Sequence, residues 1–183
     1  MGGGRRGCLI GGRGGDFRDL GELTCQFPPD LDFATDKELF ASLPGGQAVI
    51  DWFGSCPGFH DAVLEKLELS GGDASLFVQA HWMTKDIDER GFYVLDRKAL
   101  ICLHLRKVTG VRLEGDASSI ISGLYIRRLS ADAAATDWPS CGGPRAGDIE
   151  VTFDTAVGLY GSLYAKELTF ALEPSPILTS PYA

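Results

Sequence analysis

The chain has 183 residues, 44% of them hydrophobic and 23% charged, with a formal net charge of 17 − 25 = −8. That length suits one domain with a real core, and the acidic balance argues against a nucleic-acid or anionic-membrane ligand, which calls for a basic face. No run approaches the roughly 20 consecutive apolar residues of a transmembrane helix, and Cys8-Leu9-Ile10 is too short for the apolar region of a secretory signal, so the expected location is the cytoplasm.

Five cysteines are scattered at Cys8, Cys25, Cys56, Cys102 and Cys141. The count is odd and no two form a C-x-x-C pair, so no zinc knuckle or redox motif is suggested. Residues 1–34 are expected to be a disordered or irregular extension, because their first half is too glycine-rich to bury a core. Gly2-x-Gly4-x-x-Gly7 matches the dinucleotide fingerprint in letters only, with no strand before it and no helix after it. One globular β-rich domain is expected over 35–173, followed by a proline-containing tail over 174–183.

Thr35-Asp36-Lys37-Glu38 reads as a capping box that opens a short helix, with Thr35 as the cap. Pro44-Gly45-Gly46 ends that helix. A second helix is predicted over Gln47–Phe53, with Gly54 as its stop. From Ala62 the apolar period changes from about 3.6 to 2. Val63, Leu67 and Leu69 are expected on one face of the first strand, and Gly71-Gly72-Asp73 is a hairpin turn signal. Leu76, Val78, Ala80 and Trp82 alternate in the second strand, and Lys85–Gly91 reads as a charged loop.

Phe92–Leu95, Ala99–Arg106, Val108–Leu113 and Gly123–Leu129 are candidate strands, with Ile101, Leu103 and Leu105 inside. Ala131–Ala146 reads as a long polar loop. Ile149, Val151 and Phe153 alternate next, and Leu159–Tyr164 and Glu167–Glu173 complete the set, with Leu168, Phe170 and Leu172 inward. The fold class is mainly β (α+β): an antiparallel sheet or sandwich of seven or eight strands after one or two short helices.

The junction of the second helix and the first strand reads Asp51-Trp52-Phe53-Gly54-Ser55-Cys56-Pro57-Gly58-Phe59-His60-Asp61-Ala62. A Trp-Phe pair, a short spacer and Pro-x-Phe-His-Asp leading into an alternating strand resemble the immunity protein 50 family of bacterial polymorphic toxin systems. A strongly apolar strand feeding Val108-x-x-Val111-x-Leu113 and a late hairpin over 158–172 add to the likeness, which covers about residues 47–173. Cys56 stands where the family pattern carries a second Trp. The resemblance implies a β-rich fold and a non-enzymatic role, binding and neutralising a cognate toxin. It supplies no catalytic residues, and no cofactor is expected.

Among the candidate residues, Trp52, Phe53, Pro57, Phe59, His60 and Asp61 read as structural members of that motif. The aromatics suit helix-to-sheet packing, Gly58 a sharp turn, and Asp61 a turn carboxylate. A His60–Asp61 general base is the alternative, and a hydrolase built on it needs a cleft exposing both. His60, His81 and His104 are spaced by 21 and 23 residues, unlike any zinc motif. Asp86, Asp88 and Glu89, with Trp138 in the later loop, are the expected partner-binding residues, suited to a basic protein. A small-ligand pocket lined by Trp82, His104 or Tyr125 is the competing reading.

Overall fold

The computed structural model describes residues 34–137 and 142–174. The expectations for residues 1–33, for Trp138 and for the tail beyond Pro174 fall outside the described residues.

Two short helices lead into the sheet. α1 spans Lys37–Ser42 and α2 spans Gly46–Phe53. The cap of α1 is Asp36, whose Oδ1 accepts from the Leu39 amide at 2.9 Å, and not Thr35 as the capping-box reading has it. Thr35 is used at longer range: its hydroxyl donates to the Leu124 carbonyl and accepts from the Ile126 amide, both at 3.3 Å. Either residue can cap in isolation; the tether to the sheet decides between them. Gly54, in the left-handed conformation at φ 79°, closes α2 where the sequence places its stop.

Four strands follow: β1 (Ala62–Ser70), β2 (Asp73–Ile87), β3 (Tyr93–Arg128) and β4 (Ile149–Pro174). They form one antiparallel sheet in the order β1-β2-β3-β4. The separate strands expected between residues 92 and 129, and between 149 and 173, are continuous. β3 and β4 stay paired from Ala99↔Pro174 to Arg128↔Ile149, with register shifts that bend the ribbon instead of ending it. Counting the two arms of each bent strand gives six strand runs, not seven or eight. At the bend Gly115 sits at φ 107° and Gly161 at φ 149°; a Cβ on the first would meet the Gly158 carbonyl and on the second the Arg112 carbonyl. Backbone packed this closely admits only glycine.

The bend brings the second arm of β3 round to β1, where Ala62 pairs with Ile121 and Val63 with Ile120. The sheet thereby closes on itself at one point. Inside it lie Leu76, Val78, Ile101, Leu103, Leu105, Ile121, Leu124, Ile126, Val151, Phe153 and Leu168, all buried. α1 and α2 cover the opening with Phe40, Val49 and Phe53. Phe40 packs on Phe170 at a centroid distance of 4.5 Å, and the Phe170 amide donates to the Pro44 carbonyl at 2.8 Å. One expectation for β1 fails. A bulge between Leu64 and Lys66 reverses the alternation: Ala62 and Leu64 point inward before it and Val63 is exposed, whereas Leu67 after it packs on the core as expected, and Leu69, near the end of the strand, is exposed.

The expected loop over 131–146 holds a third helix, α3 (Ala131–Asp137). Its alanines have the highest helix propensity, and the Ser130 hydroxyl accepts from the Ala133 amide at 3.1 Å as its cap. Ala134 packs with Leu129 and Tyr164 against the outside of the ribbon.

Beneath that patch lies a satisfied polar network. Glu150 is buried and accepts from Arg127 Nε at 2.6 Å, from the Tyr164 hydroxyl at 3.1 Å and from the Thr152 hydroxyl at 3.3 Å. Asp148 is buried and accepts from the Thr109 hydroxyl at 2.8 Å, from the Arg145 amide at 3.1 Å and from Lys166 Nζ. Burial pushes the Asp148 carboxyl up, but the hydrogen bonds from Lys166, Thr109 and Arg145 outweigh it and hold the group below its ordinary value.

A carboxyl held low stabilises the fold above its unfolded pKa of about 3.9, and that contribution disappears as pH falls through the folded value. Asp148→Asn is expected to cost about 1–3 kcal/mol near neutral pH. The variant should also show a flatter loss of stability on acidification, read by urea titrations at a series of pH values. An acid limb identical to that of the unaltered chain would show that Asp148 does not set it.

Candidate functional site

α2 runs to Phe53, and the segment between it and β1 must reverse within a few residues. Pro57 and Phe59 are buried and anchor this segment to the core, as Phe53 does. The turn itself is strained. Phe59 has φ 55° and Asp61 φ 59°, both in the left-handed region. That conformation is uncommon for residues with a side chain and is a steric outlier for a bulky one such as Phe. Gly58, expected to serve the sharp turn, has no positive φ and open space around it.

The residue between the two strained positions faces solvent. The side chain of His60 is 74% exposed and that of Asp61 47%, with His60 Nδ1 2.9 Å from Asp61 Oδ2. A side chain this exposed contributes little to packing, so the expected structural role fits Phe53, Pro57 and Phe59 but not His60. Val63 pairs with Gln79, which sets Asp61 beside His81. Burial pushes the His81 imidazole down from its ordinary value; Asp61 opposes this, while Lys98 and His60 reinforce it. Sequence spacing did not associate His81 with the other two, because the association is made by strand register. Gln79 Nε2, on the same sheet face, is buried with no hydrogen-bond partner among the described residues.

Next to this turn the sheet extends into a two-stranded arm. The expected charged loop over 85–91 is mostly strand: β2 continues to Ile87 and β3 begins at Tyr93. The tight turn is Asp88–Gly91, closed by the Asp88 amide donating to the Phe92 carbonyl at 2.8 Å. Asp88 Oδ1 accepts from the Arg90 and Phe92 amides, both at 2.9 Å, so this residue shapes the turn. Asp86 and Glu89 are exposed, between Lys85 and Arg90. The arm is set off from the sheet by one extra residue on β3, Arg97, at φ 50°. Trp52 holds it there: its Nε1 donates to the Arg97 carbonyl at 3.3 Å, and Arg97 Nη1 donates to the Trp52 carbonyl at 3.4 Å. Trp52 is thus a clasp at the arm's base and not a core residue.

Two depressions among the described residues lie on the sheet, and neither brings together Trp82, His104 and Tyr125. His104 lines an open depression of about 290 Å³ with Asp73, Ser75, Arg106 and Thr169, and its Nδ1 lies 3.0 Å from the Ser75 hydroxyl. Ala74 and Leu105 complete that lining, which is part polar and part apolar, and neither Trp82 nor Tyr125 contributes to it. A neighbouring depression of about 330 Å³ is lined by Glu68–Ser70 and Asp73–Ser75. Neither His60 nor Asp61 lines either depression. Among the described residues no group of three or more His, Cys, Asp or Glu side chains can hold a metal ion, and no helix is long and apolar enough to cross a membrane.

Comparison of the chain with known protein families, with characterised proteins and with solved structures finds no match in any of the three.

The left-handed residues give a direct test of stored strain. Asp61→Gly removes the Cβ that makes φ 59° costly and is expected to raise stability by about 0.5–1 kcal/mol, measured by thermal and urea unfolding. A loss of more than that would mean the carboxylate holds the turn together.

Proposed function

We propose that the chain is an immunity-type protein, which binds a cognate bacterial toxin in the cytoplasm and neutralises it by occupying its active surface, with no chemistry of its own. The observation that carries this reading is the strained turn at Phe59–Asp61, which holds His60 and Asp61 out into solvent from buried anchors on either side. Backbone strain persists only where the surroundings over-determine it, and it concentrates at functional sites. The same segment carries the resemblance to the immunity protein 50 family.

A turn fixed in this way suits recognition. Its side chains are ordered before the partner arrives, so little freedom is lost on binding. His60 and Asp61 face solvent from this turn, and His81 lies within the electrostatic reach of both. A handful of such anchors supplies most of the affinity of a typical interface. The net charge of −8 speeds encounter with a basic toxin.

The test starts from the protein encoded beside this chain's gene. Expressed alone it is expected to arrest growth, and co-expression of the full chain is expected to restore it. His60→Ala removes an exposed side chain, so unfolding should change by less than about 0.5 kcal/mol. Protection should nevertheless weaken at least tenfold in the amount of chain required, as for loss of an interface anchor. A neighbour that is harmless alone, or full protection by the His60→Ala chain, would remove the support for this reading.

A further inference from the structure

Most exposed side chains on this molecule are scattered or charged, but the arm beyond Trp82 is different. Met83, Ile87, Phe92, Tyr93, Val94 and Leu95 are all exposed, with Phe92 at 68%, Ile87 at 63% and Tyr93 at 57%. Register explains why none of them reaches the core. β1 accompanies β2 only as far as Gln79, and the described part of β4 pairs with β3 from Ala99 onward. Among the described residues the arm is therefore a ribbon of two strands with no flanking strand on either side. Met83 pairs with Leu95 and Ile87 with Tyr93, forming an apolar stripe on one face, while Trp82 and Val94 fall on the other and Phe92 sits in the turn before β3. Such a ribbon is marginally stable in water by itself, and an apolar surface on both of its faces is a feature of segments that are covered in the working state.

We infer that a second copy of this chain covers the arm, the two arms packing against each other in a symmetric dimer. Two observations support this occupant. The first is area. With full areas of roughly 150–250 Å² for the larger of these side chains, the exposed fractions of Met83, Ile87, Tyr93 and Leu95 on the stripe face sum to on the order of 400 Å², about half of the ~800 Å² per partner that a standard specific interface buries. The second is charge. The tip carries Lys85 and Arg90 among Asp86, Asp88 and Glu89, so the arm is close to neutral although the chain as a whole is strongly acidic. A mixed pattern of this kind complements itself across a two-fold axis, where the cations of one copy meet Asp86 and Glu89 of the other. A surface evolved for a strongly basic partner would concentrate one sign of charge at the tip. The clasp between Trp52 and Arg97 fixes the arm's direction beforehand, which reduces what is lost on association.

This goes beyond the immunity reading and does not depend on it: the contact with a toxin is assigned to the Phe59–Asp61 turn, and the dimer contact to the arm.

The experiment is sedimentation equilibrium and light scattering of the full chain from about 1 to about 200 μM, the range in which interfaces of this size become populated. The expected result is the mass of two chains. Because the chains repel through their net charge of −8, self-association should hold or strengthen as salt rises, the opposite of an acidic arm on a basic partner. Phe92→Ser with Tyr93→Ser alters two exposed positions, so the fold should persist by circular dichroism, while self-association weakens at least about a hundredfold on losing two aromatic anchors. A monomer throughout the concentration range overturns the inference, and so does a dimer indifferent to the double substitution. Capture of the arm by the neighbouring gene's product in an otherwise monomeric protein assigns it to that partner and overturns the inference as well.

Discussion

Everything in this fold depends on one ribbon staying hydrogen-bonded while it bends. β3 and β4 remain partners from Ala99↔Pro174 to Arg128↔Ile149, and the turn in direction between their arms is absorbed by bulges and by glycines in close backbone contact. Were the ribbon to break at the bend, the chain would have two small sheets, each with an open apolar face. Because it holds, the second arm of β3 reaches β1 at Ala62 and Val63, and the inner residues of all four strands share one core. The helices follow from this as well. Thr35 is tied to the second arm of β3 through Leu124 and Ile126, while Pro44 is tied to the last stretch of β4 through Phe170. The helical segment therefore spans the two arms that the bend has brought around.

Much of this was legible in the sequence where a rule acts locally. Two-residue alternation identified the inner faces at Leu76–Ala80, Ile101–Leu105, Ile149–Phe153 and Leu168–Leu172. The left-handed stop at Gly54 and the two-glycine hairpin at Gly71-Gly72 were equally plain, since each needs a backbone conformation that glycine accepts easily. The boundaries failed for a consistent reason. Glycine and charge read locally as ends of strands, whereas in an antiparallel ribbon an extra residue on one side is accommodated by a bulge. Gly110, Gly115, Gly158 and Gly161 thus bend two long strands where four or more short ones were expected. The same mechanism reversed the parity of β1 after Leu64. For α3 a helix signal was present in Ser130 and the alanines after it, and was outweighed by the glycines and prolines further on.

The candidate site was legible in its letters but not in its geometry. The sequence singled out Trp52 to Asp61 as distinctive, yet alternation and composition do not distinguish a buried histidine from one held out on a strained turn. That difference arises from Phe59 and Asp61 adopting left-handed backbone, which their side chains disfavour and which only the surrounding packing imposes. Similarly, the apolar run from Phe92 to Leu95 reads as an ordinary strand. Its exposure depends on β1 accompanying β2 only as far as Gln79, and β1 lies well apart from it in sequence.

The order in which the chain is made adds a consequence of its own. The N-terminal helices leave the ribosome well before either of their tethering points exists: Leu124 and Ile126 follow much later, and Phe170, on which Phe40 packs, comes near the very end. β1 likewise waits for Ile121. The β1–β2 hairpin and the β3–β4 ribbon, by contrast, each form by pairing outward from a local connection, with little new loop to close at each step. Vectorial synthesis thus leaves Phe40, Val49 and Phe53 without their final cover until β4 is out, so the two helices, translated before every strand, settle after them.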